Sequence, residues 1–348
     1  MLIRYRPFGV AVLLAFLVVP AAPGTPPGDN GRIAFTRLEQ KDPIQGGIWT
    51  TSPAGGAARR VTRPPSGTVD DNPDWSPKGT RIVFVRAPST GVFSIWTVGA
   101  NGSGLQRITP PCPPGGEIPR CAADDGWPAW SPDGKHLAFQ RLSGALRPKG
   151  ATVDNAAAIY RDELVVTDAN GSHARTLVWV GPWRGDPQAP AWSPDGARLV
   201  FVGKFMTSKT NGTGCECRSL WVVDADGGHR RQILAPGLRP GGRPDWSPDG
   251  RTILFRTHPG DDPSGYGANL YTIHPDGSGL RQLTHYLSGD RVLEGSWSPD
   301  GRQIVFATSH AAVGGSKPDL FVMNADGTNE RPLTRTVNFE TEADWGTG

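Results

Sequence analysis

The sequence predicts an all-β fold, a six-bladed β-propeller of four-stranded antiparallel blades, closed by a C-terminal strand that completes the first blade. Three observations carry this. Six tryptophans, Trp75, Trp130, Trp192, Trp246, Trp297 and Trp345, follow one another at intervals of 55, 62, 54, 51 and 48 residues. The first five open the phrase Trp-Ser-Pro-Asp-Gly, with Lys78 in place of the aspartate in the first copy. A short apolar run follows each phrase, at residues 81–84, 136–139, 198–201, 252–255 and 303–306. A period of about 50 residues with one strand-turn-strand phrase per unit is the signature of a radial repeat.

The unit from Arg243 to Thr284 shows how each element arises. Its first strand ends on Trp246. In Ser247-Pro248-Asp249-Gly250 the proline pre-sets φ, and aspartate and glycine accept the conformations that reverse the chain. The second strand, at 252–255, is apolar on both faces, as a sheet packed between two others requires. A third strand follows, then Asp276-Gly277, a hairpin signal repeated at Asn101-Gly102, Asn170-Gly171, Asp226-Gly227 and Asp326-Gly327. The fourth strand closes the unit. Blades stacked face to face around an axis give such strands their burial, and each unit packs only on its neighbours.

The two ends complement each other. Residues 32–36, 47–51 and 58–62 read as second, third and fourth strands with no first strand before them. Residues 341–346, which contain Trp345, read as a first strand with nothing after it. The last residues therefore complete the first blade, and the propeller domain runs from 32 to 348. The large indole at one position in every unit is read as the packing wedge between blades.

These residues resemble a known family, the TolB-like six-bladed propellers built from the Pro-Asp type of WD-like repeat. The likeness rests on x-Pro-x-Trp-Ser-Pro-Asp-Gly followed by an Ile-x-Phe strand and spans residues 32–346. The chain is expected to lack the N-terminal α/β domain of the family's namesake. The resemblance implies a docking surface in cell-envelope assemblies, although one fold hosts many activities.

Residues 1–22 read as a secretory signal, with Arg4 and Arg6, an apolar run from Phe8 to Val19, and Ala21-Ala22. The run is too short to span a bilayer, no cysteine follows it, and residues 23–31 read as a flexible lead-in. The mature chain is therefore expected in a periplasm, a wall or the medium, without a stable membrane span. Without Arg4 and Arg6, the 36 lysines and arginines fall to 34 against 33 acidic residues, a net charge of +1. That balance gives no general pull on nucleic acid. In an exported chain Cys112 and Cys121 read as a disulfide closing a proline-rich loop, while Cys215 and Cys217 leave a local bridge, an interloop pairing or a metal or thiol role open. The ring uses its own strand edges except the outer ones, so a monomer is expected.

The long insertions all fall on one face, between second and third strands or between units; the other face has tight turns. Long loops on a rigid scaffold are where binding lives. Carboxylates collect on this face: Asp70, Asp71, Asp124, Asp125, Asp186, Glu294, Glu340 and Glu342. Converging on one point, they would hold a divalent cation; spaced around a wide mouth, they form a solvated polar rim, the reading preferred here. Trp127 and Trp183, with Trp179, suggest an aromatic patch for a peptide or glycan, with local loop packing as the alternative. His258, His285 and His310 map to adjacent units, and imidazoles suit transition metals. Similarity to pectin-degrading lyases with TolB-like repeats implies a metal held by histidines in such a place. No His-Glu-x-x-His motif occurs, and no Gly-x-Ser-x-Gly.

The favoured function is thus an exported, non-catalytic scaffold that binds a protein, a peptide or an envelope glycan through its long-loop face. The alternative is a metal-assisted carbohydrate-active enzyme, a polysaccharide lyase or hydrolase, at the three histidines. No cofactor is assigned beyond that divalent cation.

Overall fold

The computed structural model describes residues 28–39, 45–89, 92–110, 123–144, 160–180, 187–204, 218–235, 238–258, 268–286, 291–309 and 317–348. Every regular element among them is a β-strand. The first three are β1 (Asn30–Glu39), β2 (Gln45–Thr51) and β3 (Arg59–Arg60), and β4 (Thr68–Trp75), β5 (Arg81–Pro88), β6 (Ser94–Gly99) and β7 (Gln106–Arg107) form the next unit. Then come β8 (Ala123–Trp130), β9 (His136–Gly144), β10 (Tyr160–Asp168) and β11 (Arg175–Val180). The fourth unit is β12 (Gln188–Trp192), β13 (Arg198–Lys204), β14 (Arg218–Asp224) and β15 (Arg231–Gln232). It is followed by β16 (Arg239–Trp246), β17 (Ile253–His258), β18 (Asn269–Ile273) and β19 (Arg281–Gln282). Last are β20 (Arg291–Trp297), β21 (Gln303–Ser309), β22 (Asp319–Asn324), β23 (Arg331–Pro332) and β24 (Phe339–Thr347).

Four of the sheets are four-stranded and antiparallel, in the order first, second, third, fourth strand. The fifth is eight-stranded, ordered β24-β1-β2-β4-β5-β6-β7 with β3 on β2. Within it β2 and β4 share one parallel pair, Gly46 with Val69. β24 lies antiparallel to β1, with Trp345 opposite Ile33 and Glu340 opposite Arg37. The first strands touch in the order β4, β8, β12, β16, β20, β24, and β24 touches β4.

The turn phrase behaves as its chemistry requires. In Ser131-Pro-Asp-Gly134 the Gly134 N–H donates to the Ser131 carbonyl at 2.9 Å, and Ser131 Oγ donates to Asp133 at 2.5 Å. Gly134 sits at φ 69°, open to glycine at no steric cost. Where Lys78 replaces the aspartate, the Gly79 to Ser76 bond persists at 2.8 Å, so the backbone turn does not depend on that carboxylate.

The tryptophans are wedges. Each repeat indole packs on the unit of strands that precedes its own: Trp130 on Val83 and Ile95, Trp192 on Leu164 and Val166, and Trp246 on Val200 and Val222. Trp297 packs on Leu254 and Leu270, Trp345 on Val305 and Leu320, and Trp75 on Ala34 and Ile48. An indole buries on the order of 150–250 Å², so these contacts dominate inter-sheet cohesion.

Candidate functional site

All six first strands carry extra residues at one level. In β4, Asp71 lies opposite Val85 and Asp74 opposite Val83, so three steps match two. The same slip occurs in β8, β12, β20 and β24, and β16 holds two extra residues. Asn72, Trp127, Ala189 and Glu342 adopt φ of 51°, 46°, 50° and 53° there. Such bulges bend a strand and re-aim its side chains. They leave two layers of carboxylates where the first strands converge.

The layer beside the tryptophans contains Asp74, Asp245 and Asp344. Asp344 accepts from the Trp75 N–H at 2.8 Å, Asp74 from the Trp130 N–H at 2.6 Å, and Asp245 from the Trp297 N–H at 2.8 Å. Each carboxylate thereby ties its strand to the next. Arg243 on β16 reaches β4, where it donates to the Pro73 carbonyl at 3.2 Å and pairs with Asp74. In the contact order of the first strands, β4 and β16 stand opposite, so Arg243 is a crossbar. Burial pushes Asp245 up to about 7, aided by the Asp344 charge and opposed by the Trp297 N–H, Arg243 and Ser296. Burial also raises Asp344, against the pull of Arg243 and the Trp75 N–H.

The second layer contains Asp71, Glu294 and Glu342. Burial raises Asp71, opposed by bonds from Thr36 Oγ1 at 2.7 Å and the Asn72 N–H at 2.9 Å. Glu342 is held well above the ordinary range, first by burial, then by the charge of Glu294 and a hydrogen bond with it, then by Asp71; Arg256 opposes. Two carboxyls that share a hydrogen bond need a proton on one of them. Gly241 and Gly242 make room here, since a Cβ on Gly242 would lie 2.8 Å from Glu294 Oε1 and one on Gly241 would lie 3.1 Å from Arg256 Nη2. Two cavities in this region measure about 40 and 10 Å³. Spaces of that size suit at most a few waters and are too small for a substrate.

Besides Glu294 of the second layer, which is 8% exposed, three more of the expected rim carboxylates are not solvated. Asp70 and Glu340 are 0% exposed and Asp125 is 3% exposed. Asp70 takes Arg86 at 2.6 and 2.8 Å, Asp125 takes Arg141 at 2.7 and 3.1 Å, and Glu340 takes Arg37 at 2.8 Å. Each arginine comes from the residue directly opposite on the second strand. Arg37 and Arg86 also lie 4.3 and 4.7 Å from the ring centroids of Trp49 and Trp96. Desolvation explains the correction: an ionised carboxylate is buried when paired.

Asp124 accepts from the Phe93 N–H at 2.9 Å. Trp127 is half-buried on β8, whereas Trp179 is 54% exposed on β11, with two strands between them. His285 is exposed after β19, and His258 ends β17. The side chain of His258, together with His310, Trp183, Asp186, Cys112, Cys121, Cys215 and Cys217, lies outside the described residues. Among the described residues no group of three or more His, Cys, Asp or Glu is placed to hold a metal ion, and no helix is long and apolar enough to cross a membrane.

Residue patterns alone did not expose Arg243, Arg256, Asp245 or Asp344. A signal existed, because Asp74, Asp245 and Asp344 each stand immediately before a repeat tryptophan.

No family model matches the chain. TolB from Acinetobacter baumannii superposes with a TM-score of 0.63 at 19% identity, covering 93% of this chain and 69% of that one. In fold, the chain is a TolB-like propeller. A 131-residue stretch of it is 30% identical to the Tol-Pal system protein TolB of Anaeromyxobacter sp. strain K, covering 37% of the chain and 27% of that protein. Another stretch of 136 residues is 29% identical to an uncharacterised protein of Agrobacterium fabrum, covering 39% and 40%. The TolB-like propeller thus spans less than half the length of these curated relatives. An oligogalacturonate lyase solved with manganese also superposes, with a TM-score of 0.52 at 16% identity, covering 84% and 71%.

Proposed function

We propose that this chain is an exported, non-catalytic scaffold that binds a protein, a peptide or a cell-envelope component through its long-loop face and channel mouth. The eight-stranded sheet is then two blades, β24-β1-β2-β3 and β4-β5-β6-β7, giving six in all with β24 closing the ring. The single parallel pair between β2 and β4 and the cyclic contacts of the first strands support that count. The signal-like pattern of residues 1–22 supports export.

The observation that carries the functional reading is the crossbar. Arg243 and its carboxylates occupy the centre of the ring and leave cavities of about 40 and 10 Å³, so a ligand is met at the mouth rather than inside. Resemblance to a Tol-Pal system protein agrees with a docking role. The experiment is capture of partners from an envelope fraction with the purified chain, alongside incubation with oligogalacturonate and manganese. A specific envelope partner with no unsaturated sugar product supports the scaffold. Product formation above a heat-inactivated control would favour the lyase reading, which rests on the manganese-bound neighbour and on His258, His285 and His310.

A further inference from the structure

A cleft of about 470 Å³ opens at the tight-turn end of the strands, between the sheet of β8–β11 and that of β12–β15. Its volume lies within the roughly 300–1,000 Å³ of ordinary ligand sites. The floor is apolar, formed by Trp192, Val166 and Pro132, and Asp133, Asp168 and Asp195 stand around it. One arginine of the wall, Arg175, is directed at the Ala225 carbonyl at 2.7 Å.

Comparison of this junction with its neighbours explains the opening. The residue that begins the second strand is Arg198 in the following unit, and its guanidinium lies over the Trp246 ring at 5.4 Å from the centroid. Arg198 is directly opposite Asp224. In the unit before, the same position is His136, directly opposite Asp168, and the equivalent indole is Trp192. A short imidazole therefore stands where a guanidinium stacks one blade further on. His136 Nε2 is 4.0 Å from Asp168 Oδ1, while Asp168 Oδ2 is bonded to His173 Nδ1 at 2.6 Å. Arg81 begins the second strand opposite Gly99, and Gln303 lies opposite Asn324, so neither of those positions combines a short side chain with a facing carboxylate.

We infer that this cleft is a socket for an arginine side chain presented by a partner polypeptide, which would lie over Trp192 and face Asp168 as Arg198 lies over Trp246 and faces Asp224. A planar guanidinium stacks on an indole and meets carboxylates with its fork of donors. Three carboxylates stand against one wall arginine and two histidines, His136 and His173, so the lining is net negative when the imidazoles are neutral, which supplies charge complementarity. The socket lies at the end of the strands away from the long connections and does not rest on the function proposed above.

The test uses the full chain and three blocked tripeptides, Gly-Arg-Gly, Gly-Lys-Gly and Gly-citrulline-Gly, with the Trp192 indole N–H followed by NMR. The arginine peptide should shift that signal saturably, the lysine peptide at least fivefold more weakly, and the citrulline peptide not at all. His136→Arg should fill the socket from within, weaken the arginine peptide at least tenfold and raise the melting temperature, which also shows that the variant folds. Asp168→Asn should weaken it severalfold. Equal binding of lysine and arginine peptides, a shift that does not saturate, or unchanged binding by His136→Arg would each overturn the inference.

Discussion

Replacing Arg243 with methionine removes the crossbar while keeping most of its length. Arg243 is 14% exposed and Asp74 10% exposed as side chains, so the pair is largely desolvated. Removing one partner of such a pair costs about 3–5 kcal/mol, because the remaining charge stays buried. Here Arg243 also holds down the carboxyls of Asp245 and Asp344, which burial has raised. A carboxyl whose folded-state pKa is raised binds its proton more tightly when folded; its contribution is complete below the unfolded value near 4 and is lost as pH rises through the folded value, about 7 for Asp245. Without Arg243 those folded-state values rise further. The loss should therefore be about 3–5 kcal/mol at pH 8 and about 1–2 kcal/mol smaller at pH 5, where protonation relieves the uncompensated charge. Urea denaturation of both proteins at the two pH values measures this. A loss below about 1 kcal/mol, or an equal loss at both pH values, would refute the crossbar reasoning.

Other outcomes follow from the same geometry. Asp245→Asn keeps an acceptor for the Trp297 N–H and removes a charge, so stability at pH 8 should rise by at most about 4 kcal/mol and its dependence between pH 5 and 8 should flatten; thermal melts across that range decide it. Trp246→Ala empties a wholly buried wedge and should cost about 3–5 kcal/mol by denaturant titration, with a larger effect than at the part-exposed Trp130. Gly346→Val should be strongly destabilising, since a Cβ there would lie 2.6 Å from the Trp75 ring, whereas the same change at Gly56, with open space around its Cβ position, should cost only its positive-φ strain. Deleting residues 339–348 removes the strand paired with β1 and should broaden the unfolding transition and lower its midpoint.

Much of the fold was legible because its determinants are local. The turn phrase fixes its own hydrogen bonds, and an indole recurring at one position per unit has few uses other than packing on the preceding unit. The rim was misread because pairing depends on register. Asp70, Asp125 and Glu340 each stand five residues before a repeat tryptophan, and Arg86, Arg141 and Arg37 each stand two residues after a second-strand phenylalanine. That joint pattern identifies the pairs only once the bulged first strand is laid against the second. The Arg243 to Asp74 contact was less accessible still, since 169 residues separate its partners.

The most direct test of the scaffold reading is the metal content of the purified chain by elemental analysis, together with its melting temperature with and without a chelator. The account predicts no stoichiometric ion and no shift. A stoichiometric ion whose removal lowers the melting temperature would contradict it and favour metal-assisted chemistry on the long-loop face.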